Sequence, residues 1–277
     1  MIYIVPNGGL CNRMRVIHSA FLLSEHIKET VKVFWIKDKG LNCNFSDIFS
    51  PIESEYLKII ESNKLESYFL YSGSIINFYI PNLFHKLYFS RVFTDRNNQI
   101  RSLKINQFDF TKLKKYNRVL ISTCEDFYSI YNSYNIFKPV TELQVIIDRE
   151  IKHFNSSTIG IHIRRTDNSW SIENSPIGMF KFKMQEEIRL KIDTMFFLAT
   201  DDVKIKEELI MEFPNRIISF DRKLDRNSEK GIKDAAVELY TLASTSKIYG
   251  SYWSSFSEIA AKLFDAQLET ITLNNNS

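Results

Sequence analysis

The segment 159–168 reads IGIHIRRTDN, an apolar run that ends in two arginines and an aspartate. In an extended chain alternate side chains share a face, so His162 and Arg164 point together while Ile161, Ile163 and Arg165 point the other way. In an open α/β sheet, ligands bind beyond the carboxyl ends of the strands, which is where Arg164, Arg165 and Asp167 fall. A guanidinium fixed there presents a planar fork of N–H donors suited to a phosphate or pyrophosphate. The competing reading is an Arg165–Asp167 ion pair that merely closes the strand. A second anion site is suggested at 246–258, where SKIYG leads through Ser251-Tyr252-Trp253 into Ser254-Ser255-Phe256-Ser257-Glu258. Ser254 or Ser255 can cap a helix here, and Glu258, three residues after Ser255, would complete a capping box. The same helix start offers free backbone N–H groups and the positive end of the dipole to phosphate oxygens.

Two further segments carry polar groups next to apolar runs. Thr200-Asp201-Asp202 follows the run ending at Ala199 and reads either as an N-cap for the next helix or as part of a ligand site. It is not an Asp-x-Asp metal motif. With no HExxH, and with five histidines that do not cluster, no metal site is expected. The turn GGLCNRMR, from Gly8 to Arg15, could approach a ligand closely through Gly9, Asn12 and Arg13, yet it has neither GxGxxG spacing nor a Walker pattern.

These residues need elements to hold them. The run 2–5, the glycine turn, an amphipathic stretch over about 12–29 and the run 31–36 (VKVFWI) make a β-α-β unit, the building block of a parallel sheet. The stretch 41–134 has little clear period, although 118–122 (RVLIS) reads as a strand. A helix is predicted over roughly 140–154. From there strands at 158–164, 194–199, 216–219 and 246–250 alternate with helices near 179–191, 202–212, 232–244 and 255–267. Such alternation predicts an α/β fold of two doubly wound, Rossmann-like domains facing each other across a cleft, 1–145 and 146–277. The 277 residues suffice for two cores. Three unpaired cysteines fit a reducing cytoplasm, and a net charge of +3 excludes the footprint of a dedicated nucleic-acid binder. Only eight glycines occur, and five of them, Gly8, Gly9, Gly160, Gly231 and Gly250, fall in or beside these segments, where a tight turn or a close approach to ligand is expected.

Together these segments resemble the α1,6-fucosyltransferase, NodZ and protein O-fucosyltransferase group, bacterial type, over roughly residues 158–264. The string His162-Ile163-Arg164-Arg165-Thr166-Asp167 is similar to the first motif of the α1,6 branch, and Ala199 to Asp202 to the second. Glu238, Leu242, Ser254 and Ser255 resemble the third, and GGLCNR resembles the turn that opens related bacterial enzymes. The resemblance implies a GT-B-like fold and a metal-independent inverting transfer of fucose from GDP-fucose to a glycan or lipid-linked oligosaccharide. It implies that Arg164 binds the β-phosphate, His162 contacts the nucleoside and the Ser254-Ser255 helix start, with Phe256, holds phosphate oxygens. Glu173 is similar to the proposed general base, with a one-residue difference in spacing. Asn168 stands where the α1,6 enzymes carry Lys, and Glu238 where Asp is usual. Transfer of another nucleotide-activated sugar and a binding protein without turnover are the alternatives. The Lys and Arg between Lys86 and Lys115 are either a peripheral membrane contact for a lipid-linked acceptor or a solvated face.

Overall fold

The computed structural model describes residues 1–70, 79–129, 134–166, 168–221, 225 and 227–273. The chain divides into two compact units, Met1–Asn132 with Ile136–Lys138 and Arg226–Ile232, and Ser133–Asn135 with Pro139–Asp225 and Lys233–Ser277. Each is an α/β layer structure built on a parallel five-stranded sheet.

In the first unit β1 (Ile2–Pro6) runs through the glycine turn into α1 (Leu10–Ile27), then β2 (Val31–Trp35) and β3 (Leu57–Glu61). Helices α2 (Lys64–Leu70) and α3 (Tyr79–Tyr88), β4 (Arg91–Thr94), α4 (Gln99–Ile105) and β5 (Val119–Thr123) complete it. The sheet order is β3-β2-β1-β5-β4. Every residue of β5 is buried, as expected of an interior strand covered on both faces. The edge strands β3 and β4 are largely half-exposed or exposed, and so lack the apolar runs that make interior strands visible in a sequence. The stretch 41–134 therefore holds more structure than its pattern predicts.

The second unit follows from α5 (Thr141–Ile151) through β6 (Thr158–Ile163), α6 (Ser169–Asn174), α7 (Ile177–Leu190), β7 (Met195–Thr200), α8 (Val203–Glu212) and β8 (Ile217–Ser219). After these come α9 (Glu229–Ala243), which belongs to this unit from Lys233 onward, β9 (Lys247–Ser251), α10 (Ser255–Phe264) and β10 (Gln267–Ile271). Helix α10 stops short of the expected 267, because Asp265 takes a left-handed φ of 58° and the chain re-enters the sheet as β10. Ile159, Ile161 and Ile163 of β6 pack with Phe180 and Met184 of α7, while the alternate residues Gly160 and His162 face α9 and α10.

The strand order is β10-β9-β6-β7-β8. The chain moves outward from β6 to β7 and β8, then returns to β9 on the other side of β6. Strand order thus reverses between β6 and β9, and the crevice at the carboxyl ends of such a pair is where open α/β sheets bind ligands.

Candidate active site

Ser251, the last residue of β9, bridges that switch point. Its hydroxyl accepts from the Arg164 backbone N–H at 3.1 Å and donates to the His162 carbonyl at 3.3 Å. The first residue beyond β6 is thereby tied to β9, and Arg164 is half-buried there. Helix α10 starts against the same edge. A Cβ on Gly250 would lie 2.5 Å from Ser257 Oγ and 2.6 Å from its Cβ, so only glycine lets the first turn of α10 sit so close to β9. Gly160 plays the same part, since a Cβ there would lie 2.6 Å from Leu242 Cδ1 of α9. Both glycines serve helix–sheet packing, not the ligand approach or tight turn that the sequence suggests. Gly8, with φ +81°, is the turn glycine.

Ser254 is the N-cap residue of α10, but the expected capping box is absent. Its side chain makes no cap hydrogen bond, and Glu258 reaches forward to Lys262 Nζ at 2.6 Å. The Ser254 hydroxyl is buried and has no hydrogen-bond partner among the described residues. His162 stands in the same condition. Its ring stacks on Phe256 of the first turn of α10, with centroids 4.9 Å apart and planes 25° from parallel, and its Nδ1 is buried without a partner. Burial pushes its pKa down to about 4, with Arg164 adding to the shift and Asp201 opposing it. An orphaned buried polar atom costs roughly 1–3 kcal/mol, so two at one helix start form an incomplete polar site that a ligand can complete.

The loop after β6 is held by the protein's own groups. Asp201 accepts from the Arg165 backbone N–H at 2.7 Å and from Thr166 Oγ1 at 2.7 Å. The Arg165 guanidinium donates to the Ser175 carbonyl at 2.5 Å, and burial lowers its pKa against the pull of Asp201 and Asp202. Asp202 caps α8, accepting from the N–H groups of Lys204 and Ile205. Arg165, Asp201 and Asp202 thus shape the edge on which Arg164 sits. Asp167 lies outside the described residues. Glu173 is exposed on the short helix α6, and its carboxylate makes no hydrogen bond or ion pair among the described residues. Glu238 is buried in α9, one turn before Leu242. Three residues at this edge make contacts that the sequence does not foretell: Ser251, Ser175 and Asn168, whose amide donates to the Trp253 carbonyl at 3.1 Å. The only sequence signal for them is the position of small polar residues just past strand and helix ends.

In the first unit, Gly9 is the N-cap of α1 and Asn12 is half-buried in the first turn. Arg13 is fully buried. It donates to the Gly8 carbonyl at 2.9 Å and the Ile36 carbonyl at 2.5 Å, pairs with Asp38 at 3.0 Å and lies over the Trp35 ring. Its fork is engaged in holding the glycine turn. Trp35 is buried and donates to the Cys43 carbonyl.

No protein-family model and no curated protein matches the sequence. Among solved structures, the fucosyltransferase NodZ from Bradyrhizobium superposes with a TM-score of 0.64 at 16% identity, covering 93% of this chain and 91% of that one. NodZ α-1,6-fucosyltransferase soaked with GDP-fucose gives 0.63 at 16% identity, over 94% and 92%. POFUT1 in complex with GDP gives 0.61 at 11%, over 98% and 97%. A variant of FUT1 from Arabidopsis thaliana in complex with GDP gives 0.59 at 14%, over 99% of this chain and 70% of that one. The fold is therefore GT-B-like, the architecture of these fucosyltransferases.

Proposed function

We infer that the chain is an inverting glycosyltransferase that moves fucose from GDP-fucose to a hydroxyl of a glycan or lipid-linked oligosaccharide, without a metal. The observation that carries this reading is the pair of buried, unpartnered polar atoms, His162 Nδ1 and Ser254 Oγ, at a helix start beside Arg164. An anionic group with hydrogen-bonding oxygens suits such a place, and the helix dipole adds to the charge of Arg164. The likeness in fold to proteins crystallised with GDP or GDP-fucose supports the choice of ligand.

In this reading residues 146–277 hold the donor and residues 1–145 serve the acceptor, with the Gly9–Arg13 turn supporting the donor from its own unit. Asp167, Asp201, Asp202 and Glu238 complete the donor set, Asp201 by fixing the loop that carries Arg165. The acceptor oxygen attacks the anomeric carbon as its proton passes to the Glu173 carboxylate. The bond from that carbon to the β-phosphate oxygen breaks, and GDP leaves with its new charge facing Arg164 and the α10 N-terminus. A cytoplasmic enzyme meeting a lipid-linked acceptor would work at the inner face of the membrane.

The test is a mass-spectrometric assay of GDP-, UDP- and TDP-sugars for hydrolysis and transfer. GDP-fucose should be consumed, and Glu173→Gln should cut turnover by about 10²- to 10⁴-fold with GDP affinity nearly intact. Consumption of a different donor would replace fucose in the account. Binding of GDP-fucose without any turnover would favour a nucleotide-sugar sensor. Normal turnover in the Gln variant would remove Glu173 from its role.

A further inference from the structure

Trp253 is 58% exposed, and it takes a left-handed φ of 56°. Both features are costly. Bulky residues other than glycine pay roughly 1–2 kcal/mol for that backbone region, and an open indole forgoes the burial that usually accompanies a tryptophan. The neighbouring elements enforce the arrangement from two sides. Asn168, which also caps α6, donates its amide to the Trp253 carbonyl. Ser175 Oγ accepts from the Tyr252 N–H at 2.8 Å while donating to the Ile271 carbonyl at 2.5 Å, which ties the turn to β10. Backbone strain fixed in this way gathers at ligand sites, because surrounding contacts must over-determine it.

The position of the indole supplies the ligand. Trp253 directly precedes Ser254, whose buried hydroxyl, without a hydrogen-bond partner among the described residues, opens α10, and the His162 ring, its Nδ1 likewise without one, lies against Phe256 in the first turn. In the donor reading the terminal phosphate of a sugar nucleotide lies at that helix start, and its hexose is joined to that phosphate through a single oxygen, within reach of a side chain next to the cap. We propose that the Trp253 indole is the platform on which the transferred hexose lies, and that it sets which sugar is accepted. The inference rests on the donor reading of the same site. An apolar ring face suits the C–H edge of a pyranose and favours a 6-deoxy sugar, whose methyl group needs no hydrogen bond. A hydroxymethyl at that position would have to lose its water against the indole.

The experiment is calorimetric titration of the wild type, Trp253→Phe and Trp253→Ala with GDP, GDP-fucose and GDP-mannose. In the Ala variant GDP affinity should stay within about twofold, while GDP-fucose affinity falls about three- to tenfold and its preference over GDP-mannose shrinks. The Phe variant, which keeps a ring, should retain most of the GDP-fucose affinity and guards against a mere folding defect. Equal losses for GDP and GDP-fucose, or no loss for either, would overturn the platform while leaving the donor site standing. A wild type that does not bind GDP at all would overturn the donor reading, and the platform with it.

Discussion

His162 is buried against Phe256, and that burial pushes its pKa down to about 4, with Arg164 adding to the shift and Asp201 opposing it. The unfolded chain takes up a proton there near the usual 6.5. Between those two values the unfolded state binds the proton and the folded state does not, so the stability present above pH 6.5 is lost as pH falls toward 4. Chemical denaturation across that range should show the wild type losing on the order of 2–3 kcal/mol more than His162→Gln. An identical acid slope in both proteins would place the buried titration elsewhere. The neutral ring also fits the proposed role, since at neutral pH it offers one donor and one acceptor to a nucleotide and leaves positive charge to Arg164. His162 and Arg164 were legible in the sequence because strand alternation alone puts them on one face. The unpartnered state of Ser254 was not, since serine before Glu258 reads as a capping box until the Glu258–Lys262 pair is seen.

Among the elements, α10 depends most visibly on one small residue. Gly250 lets the helix sit so low on β9 that any side chain would meet Ser257 Oγ and Cβ, and a helix-borne Cβ cannot swing aside. Gly250→Ala should therefore push the N-terminus of α10 away from the β6 edge, costing about 1–3 kcal/mol in urea unfolding and weakening GDP binding at the same time. Unchanged GDP affinity in a destabilised variant would separate the helix position from the ligand site. Interior strands such as β5 and β7 declared themselves as mostly apolar runs. The edge strands β3, β4 and β10 did not, because a strand covered on one side has no such run to show. The contacts of Arg13 were not visible in the sequence either: it donates to the Gly8 and Ile36 carbonyls and pairs with Asp38, partners that no local pattern around the glycine turn announces.

At the scale of the whole molecule, the alternation of strands and helices was enough to anticipate two parallel sheets. A site at one switch point follows from strand order, which no local pattern contains. Strand order places β9 beside β6, and that adjacency brings residues 162–164 to residues 251–256 across nearly ninety positions of sequence. In the proposed function this junction binds a nucleoside diphosphate through protein charge and helix N–H groups. Calorimetric titration of GDP in the presence of EDTA, into the wild type and into Arg164→Ala, tests it most directly. The wild type should show saturable one-to-one binding despite the chelator, and the variant a loss of about 10- to 100-fold, the worth of a charge-assisted hydrogen bond. Absence of binding by the wild type, or equal affinity in both proteins, would contradict it.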